Sequence, residues 1–443
     1  MGRNWQEMSA ANLGRGIEAG KICPVELTES FLDAAEEHPA GERIYARMMR
    51  QRALDTAAAA RARARAGLRR GLLDGVPVSW KDLFDTAGVL TEAGTGMLRG
   101  RVPDSDALVV ERLTTAGMPP LGKTHMTELA FSGLGVNPMT ATPPGAHDPE
   151  AAPGGSSSGA AASVRHALAP VAIGTDTGGS VRVPAAWNDL VGLKTTAGRI
   201  PLQGVVPLAA RFDTIGPLAR NVEDAALTFA LLDASAAPDL RGASLKGARL
   251  MVLETVALDG LDPVIATAFE AAVARLAAAG AQISRRKLPE VDEAMALAGI
   301  LYTSECYGTW AALIEAYADR MFPPVLDRFR AGRDHEAHAY VTAWQQLDTL
   351  RASYATATAG FDAVLVPTTP NLPPKTEALM ADHDYFTSEN LRTLRNTRIG
   401  NLMGLCGLTL PTETPAAGIC LMARPMEEKR LLRLGAAAES ALR

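Results

Sequence analysis

Two glycine-glycine-serine clusters carry residue types suited to acyl transfer. The first reads Pro153-Gly154-Gly155-Ser156-Ser157-Ser158-Gly159, and the second Gly174-Thr175-Asp176-Thr177-Gly178-Gly179-Ser180. Ser156 and Ser180 are 24 positions apart (180 − 156). A serine after two glycines can stand on a sharp turn that other residues would not tolerate. Successive N–H groups on such a turn can converge on one anion. Two turns of this kind, held together, would make an active site if a base lies nearby.

The N–H groups of Thr177, Gly178, Gly179 and Ser180 are therefore candidate oxyanion donors, a role worth a few kcal/mol in a transition state. Ser180 is the candidate nucleophile, and Ser156 a candidate relay between it and a base. A competing reading makes Ser156 or Ser157 a helix N-cap. His125, His147 and His166 are among the seven histidines, and none sits at a recognisable strand end. Gly155 to Gly159 matches G-x-S-x-G formally, but it follows a proline-rich loop where a nucleophile elbow needs a strand. Lys81 is the stronger base. It ends the apolar run Val76 to Trp80, and burial disfavours its charged form. The competing reading is a surface pair with Asp82.

These side chains need a scaffold. Pro24 to Glu37 reads as a helix opened by proline, and Ala53 to Ala66 as a surface helix rich in alanine and arginine. Gly75 to Asp82 reads as a strand, Ser105 to Ala116 as a helix, and Pro119 to Gly122 as a short buried connection. Ser157 to His166 reads as a helix of small residues that can pack close to neighbouring backbone. Arg249 to Leu253 and Phe361 to Pro367 read as strands, and Pro263 to Ala279 as an amphipathic helix. This alternation predicts an α/β fold with a mixed or parallel sheet. No composition break or repeat divides the chain, so we expect one domain over 1–443. An N-terminal helical segment, about 1–70, packs onto a core of about 70–230.

Composition narrows the class. Hydrophobic residues are 47%, charged residues 21% and the net charge is −5. This excludes a disordered chain and gives no basic stripe for nucleic acid or membrane. Cys23, Cys306, Cys406 and Cys420 form no zinc or disulfide pattern, so a metal site is not expected and a reducing, cytoplasmic setting is. The N-terminus lacks a signal-peptide core.

Gly75 to Asp82, both serine clusters, Ser180-Val181-Arg182-Val183-Pro184-Ala185, Val191-Gly192-Leu193-Lys194 and Phe212 to Arg220 together resemble the amidase signature family, in its order and spacing. The resemblance is close over about 70–230 and looser elsewhere. It implies a central mixed sheet covered by helices on both faces, and a Ser–cis-Ser–Lys triad. Ser180 matches the nucleophile, Ser156 the bridging serine after a cis bond from Gly155, and Lys81 the base. Thr177, Gly178 and Gly179 match the oxyanion hole. Phe131, Ser132, Gly133 and Gly155 match substrate-binding positions, and Asp176 and Arg182 match supports of the turn. His125, Met139-Thr140 and Pro143-Pro144 depart from the pattern in the loop before the first cluster.

The expected activity is hydrolysis of a small carboxylic amide through an acyl-enzyme, with no cofactor. A homodimer is the base-rate assembly. The region from about Leu301 to Tyr354, with Trp310 and Trp344, is expected to contribute pocket walls, or else those aromatics are core. A second reading is the glutaminase-like subunit of a tRNA-dependent amidotransferase. A third is a P-loop protein, because Gly117 to Thr124 matches G-x-x-x-x-G-K-[ST]. Pro119 and Pro120 speak against it, since neither has an N–H for phosphate. On this reading Lys123 and Thr124 cap the next element.

Overall fold

A computed structural model describes residues 5–443. The first four residues, on which the leader reading partly rests, lie outside it. Among the described residues, eleven strands form one sheet. In chain order they are β1 (Tyr45–Met48), β2 (Val78–Lys81), β3 (Pro120–Thr124), β4 (Val171–Thr175), β5 (Val191–Lys194), β6 (Ile215–Ala219), β7 (Arg249–Leu253), β8 (Gln282–Arg286), β9 (Ala363–Pro367), β10 (Cys406–Pro411) and β11 (Gly418–Ala423). Their spatial order is β1-β3-β2-β4-β6-β5-β10-β11-β9-β7-β8.

The sheet is mixed, as expected. β2 lies parallel to β3 and β4. β4, β6, β5, β10 and β11 then pair antiparallel in succession. Every residue of β2, β4, β5 and β6 is buried. Strands covered on both faces need no polar alternation, which explains the near-continuous apolar runs of β4 and β6.

The helices follow the reading closely where capping and periodicity are strong. Pro24–Glu37 has the expected bounds, and Pro263–Ala278 ends one residue early. Ala53, Ala57 and Ala60 are the buried face of the helix Arg50–Arg65. Arg63 on that helix pairs with Asp74 at 2.6 Å. The small-residue helix is Ser158–Arg165. A Cβ added to Gly159 would stand 2.5 Å from the Ile44 carbonyl oxygen, so only glycine permits that approach.

Two expectations fail together. Pro119 to Gly122 is not a connection, because β3 begins at Pro120 and pairs with both β1 and β2. Proline is tolerated at a strand's first residue, where its missing N–H costs least. Lys123 and Thr124 are therefore strand residues and not caps. Lys123 is fully buried and bonds the Phe84 carbonyl and Thr91 Oγ1. The P-loop match is a strand with its lysine used internally, so it offers no loop to cradle a phosphate.

Candidate active site

β2 ends at Lys81, which is fully buried. Its Nζ lies 2.7 Å from Ser156 Oγ and 2.8 Å from Thr175 Oγ1. Burial pulls the lysine down to about 7, against the opposing pull of the Asp213 and Asp176 carboxylates. A substantial neutral fraction at neutral pH suits a general base. Asp82 instead approaches Lys123 at 3.6 Å and Arg47 at 3.5 Å, so the surface Lys81–Asp82 pair does not form.

The first cluster meets the lysine through Ser156, which is fully buried and follows a cis Gly155–Ser156 peptide. The capping reading holds for the position of Ser157 but not for a side-chain bond. The following helix starts at Ser158, and its N-cap Ser157 makes no side-chain cap bond. Ser157 Oγ is committed to the end of β4, donating to the Thr175 carbonyl at 3.2 Å and accepting from Thr175 N at 3.3 Å.

The second cluster leaves β4 and turns back. Its four carbonyls are tied outward. Tyr302 Oη donates to Thr177 O at 3.0 Å, and Thr397 Oγ1 to Gly178 O at 2.8 Å. Val183 N donates to Gly179 O at 2.7 Å, and Ser157 N to Ser180 O at 3.2 Å. The backbone N–H groups of Thr177, Gly178, Gly179 and Ser180 bond to none of the described residues. With carbonyls held away and N–H groups free, the turn has the polarity an oxyanion needs. Gly179 sits at φ +143°, a conformation that favours glycine. The last of the four carbonyl bonds also joins the two serine turns directly.

Beneath the turn, Asp176 and Arg182 form a fully buried pair with contacts of 3.0 and 2.9 Å. Burial alone would raise the Asp176 carboxyl, but Arg182 outweighs it and holds it at about 2. Asn401 bonds both partners, Asp176 Oδ1 at 3.0 Å and Arg182 Nη2 at 2.6 Å. Asp213 accepts from Thr177 Oγ1 at 2.5 Å and from Leu208 N at 2.9 Å.

A narrow cleft over Ser180 is lined by Phe131, Ser132, Thr177, Gly178, Tyr302 and Arg398, among others. It shares Phe131, Tyr302, Arg328 and Arg398 with a cavity of about 420 Å³. Of the four matched positions, Phe131 and Ser132 line the cleft and Gly133 and Gly155 do not. They bond each other, Gly155 N to Gly133 O at 2.7 Å, and so fasten two loops. Trp310 and Trp344 line neither space. Trp310 Nε1 donates to Pro207 O at 2.9 Å, and Trp344 stacks on Phe212 at 5.0 Å. The region contributes Tyr302 and Arg328 instead. His125, His147 and His166 also lie outside both.

Several residues here escaped the sequence reading. Thr175 lies inside the second cluster as a hydroxyl beside a base. Asp213 falls in the stretch Phe212 to Arg220 with nothing local to mark it. Tyr302, Arg328, Thr397 and Arg398 lie far along the chain and carry no motif.

A mixed sheet with a buried lysine, two serine turns and an anion-ready backbone defines an amide-cleaving hydrolase. The amidase family profile matches residues 26–432, and the chain belongs to that family, whose members act on C–N amide bonds. It is 37% identical to 2-amino-5-chloromuconic acid deaminase of Comamonas testosteroni, over 98% of this chain and 97% of that one. It is 32% identical to a glutamyl-tRNA(Gln) amidotransferase subunit of Thermobifida fusca (strain YX), over 99% and 96%. A crystal structure of an amidase superposes with TM-score 0.87 at 28% identity, covering 98% of this chain and all (100%) of that one.

Proposed function

We propose that the chain hydrolyses a small carboxylic amide through an acyl-enzyme on Ser180. Neutral Lys81 takes a proton from Ser156 as Ser156 takes one from Ser180, and Ser180 Oγ attacks the carbonyl carbon. The oxyanion is held by the N–H groups of residues 177 to 180. The proton then returns through Ser156 to the leaving nitrogen, and ammonia or an amine departs. Water enters, gives its proton along the same relay, and frees the acid from Ser180.

The observation that carries this reading is the 2.7 Å approach of Lys81 to Ser156, on a turn bonded to that of Ser180. The test is Ser180→Ala with a serine-reactive fluorophosphonate. The variant should lose both amide turnover and labelling, and retention of either overturns the nucleophile assignment. The four free cysteines, three of them buried, support a reducing, cytoplasmic setting.

The second reading, as one component of an amidotransferase, draws support from the full-length similarity to the Thermobifida fusca protein. It predicts co-purification with a tRNA-binding partner. Turnover of free amides by the isolated chain at full rate counts against it.

A further inference from the structure

Two guanidinium groups face the space in front of Ser180 without an acidic partner. Arg328 comes from the helix Pro323–Arg330 and Arg398 from the helix Arg395–Leu402. Both line the cleft over Ser180 and the larger cavity behind it. Arg398 is only 9% exposed, and its side chain has no hydrogen bond or ion pair among the described residues. Arg328 donates Nη1 to the Phe131 carbonyl at 2.8 Å and lies 4.2 Å above the Phe131 ring. It too has no carboxylate within ion-pair distance among the described residues.

Other sheltered arginines have partners, and Arg69 and Arg220, which lack an acid, bond backbone carbonyls instead. Arg182 has Asp176, Arg63 has Asp74, and Arg199 has Asp233 and Glu428. The two acids lining the cavity, Asp327 and Asp384, are exposed, and Asp327 approaches His383 at 3.4 Å. Packing on Phe131 gives Arg328 a structural role. It does not account for Arg398, a nearly buried cation with nothing to neutralise it, which is costly unless a ligand does so. The walls between are largely apolar, with Phe131, Phe386, Leu391 and Ala298 among them.

We propose that the substrate carries a carboxylate at the far end from its amide, and that Arg398, aided by Arg328, holds this carboxylate while the amide carbonyl rests on Ser180. The substrate class is then a half-amide of a dicarboxylic acid, its carbon chain against the apolar walls. This rests on the reading of Ser180 as nucleophile. Burial lowers both arginines, and Arg398 adds to the lowering of Arg328. A bound anion would relieve both effects, while guanidinium remains charged throughout.

The test compares half-amides of four-, five- and six-carbon dicarboxylic acids with the matching neutral diamides, with ammonia release as readout. A charge-assisted pair predicts at least one half-amide favoured in kcat/KM by about 100-fold. Arg398→Gln should collapse that ratio through KM on the half-amide, and Arg398→Lys should restore part of it. A wild-type ratio near one for every chain length, or a variant that slows both substrates equally, overturns the proposal. Glutarate binding to the Ser180→Ala protein, measured by calorimetry, is independent of turnover. Weakening by a further Arg398→Gln supports the anion site, and unchanged affinity overturns it. If that weakening occurs while no amide is cleaved by the wild type, the amide reading fails and the anion site stands.

Discussion

Thr397 Oγ1 donates to the carbonyl of Gly178 at 2.8 Å, across 219 residues of sequence. The bond turns the Gly178 carbonyl outward and helps leave the following N–H free. Thr397→Val keeps the shape and removes the donor. We expect kcat to fall about 10-fold with KM little changed, and Thr397→Ser to retain most activity. Steady-state kinetics on one amide decides it. Equal kcat in the valine variant would mean the turn needs no such tether.

Gly179→Ala tests the same turn from inside. A Cβ there would stand 2.1 Å from Thr397 Oγ1, at φ +143°. The turn must shift, and misplacing one oxyanion donor costs about 10²–10³ in kcat. Circular dichroism should show a folded protein with this loss. A fully active alanine variant would remove the turn from the chemistry.

Lys81 makes the pH profile diagnostic. The proposed base acts in its deprotonated form, and burial pulls Lys81 down to about 7, so kcat/KM should rise with pH through about 7 and level off above it. Lys81→Met should lose at least about 10³-fold and show no such limb. A profile flat between pH 5 and 9 would exclude Lys81 as the base.

Asp213 moves that limb in a known direction. Its negative charge favours the ammonium form of Lys81. Asp213→Asn removes the charge, so less proton is held and the limb should move to lower pH. A shift to higher pH, or none, would contradict the electrostatic coupling.

The Asp176–Arg182 pair predicts a stability effect. Both side chains are fully buried. Asp176→Asn leaves Arg182 without its counter-charge, which should cost about 3–5 kcal/mol. Denaturant titration measures this loss, and Asp176→Leu combined with Arg182→Met should recover part of it.

The legible parts of this molecule share one property, a local signal. Pro24–Glu37 shows its proline cap and apolar stripe, and β7 its uninterrupted apolar run. β3 lacks such a signal, because Pro119 to Gly122 reads as a short buried connection and Lys123 and Thr124 as caps of the next element. Only the buried acceptors Phe84 O and Thr91 Oγ1 make that lysine a strand interior residue. Gly133 and Gly155 matched pocket positions by sequence, yet their backbones face each other.

By itself the sequence determined the components of the proposed chemistry: Lys81 at the end of an apolar run, Ser156 and Ser180 on glycine turns, and the order that marks the family. Those are properties of short segments, where residue type dictates backbone conformation and reactivity. Tertiary structure alone decided which groups surround them. Tyr302, Arg328, Thr397 and Arg398 reach the turn from distant helices, and no local pattern records a contact made across hundreds of residues. Burial likewise belongs to the folded state. It takes Lys81 toward neutrality and leaves Arg398 unpaired, because the cost of a charge depends on what packing has removed from around it.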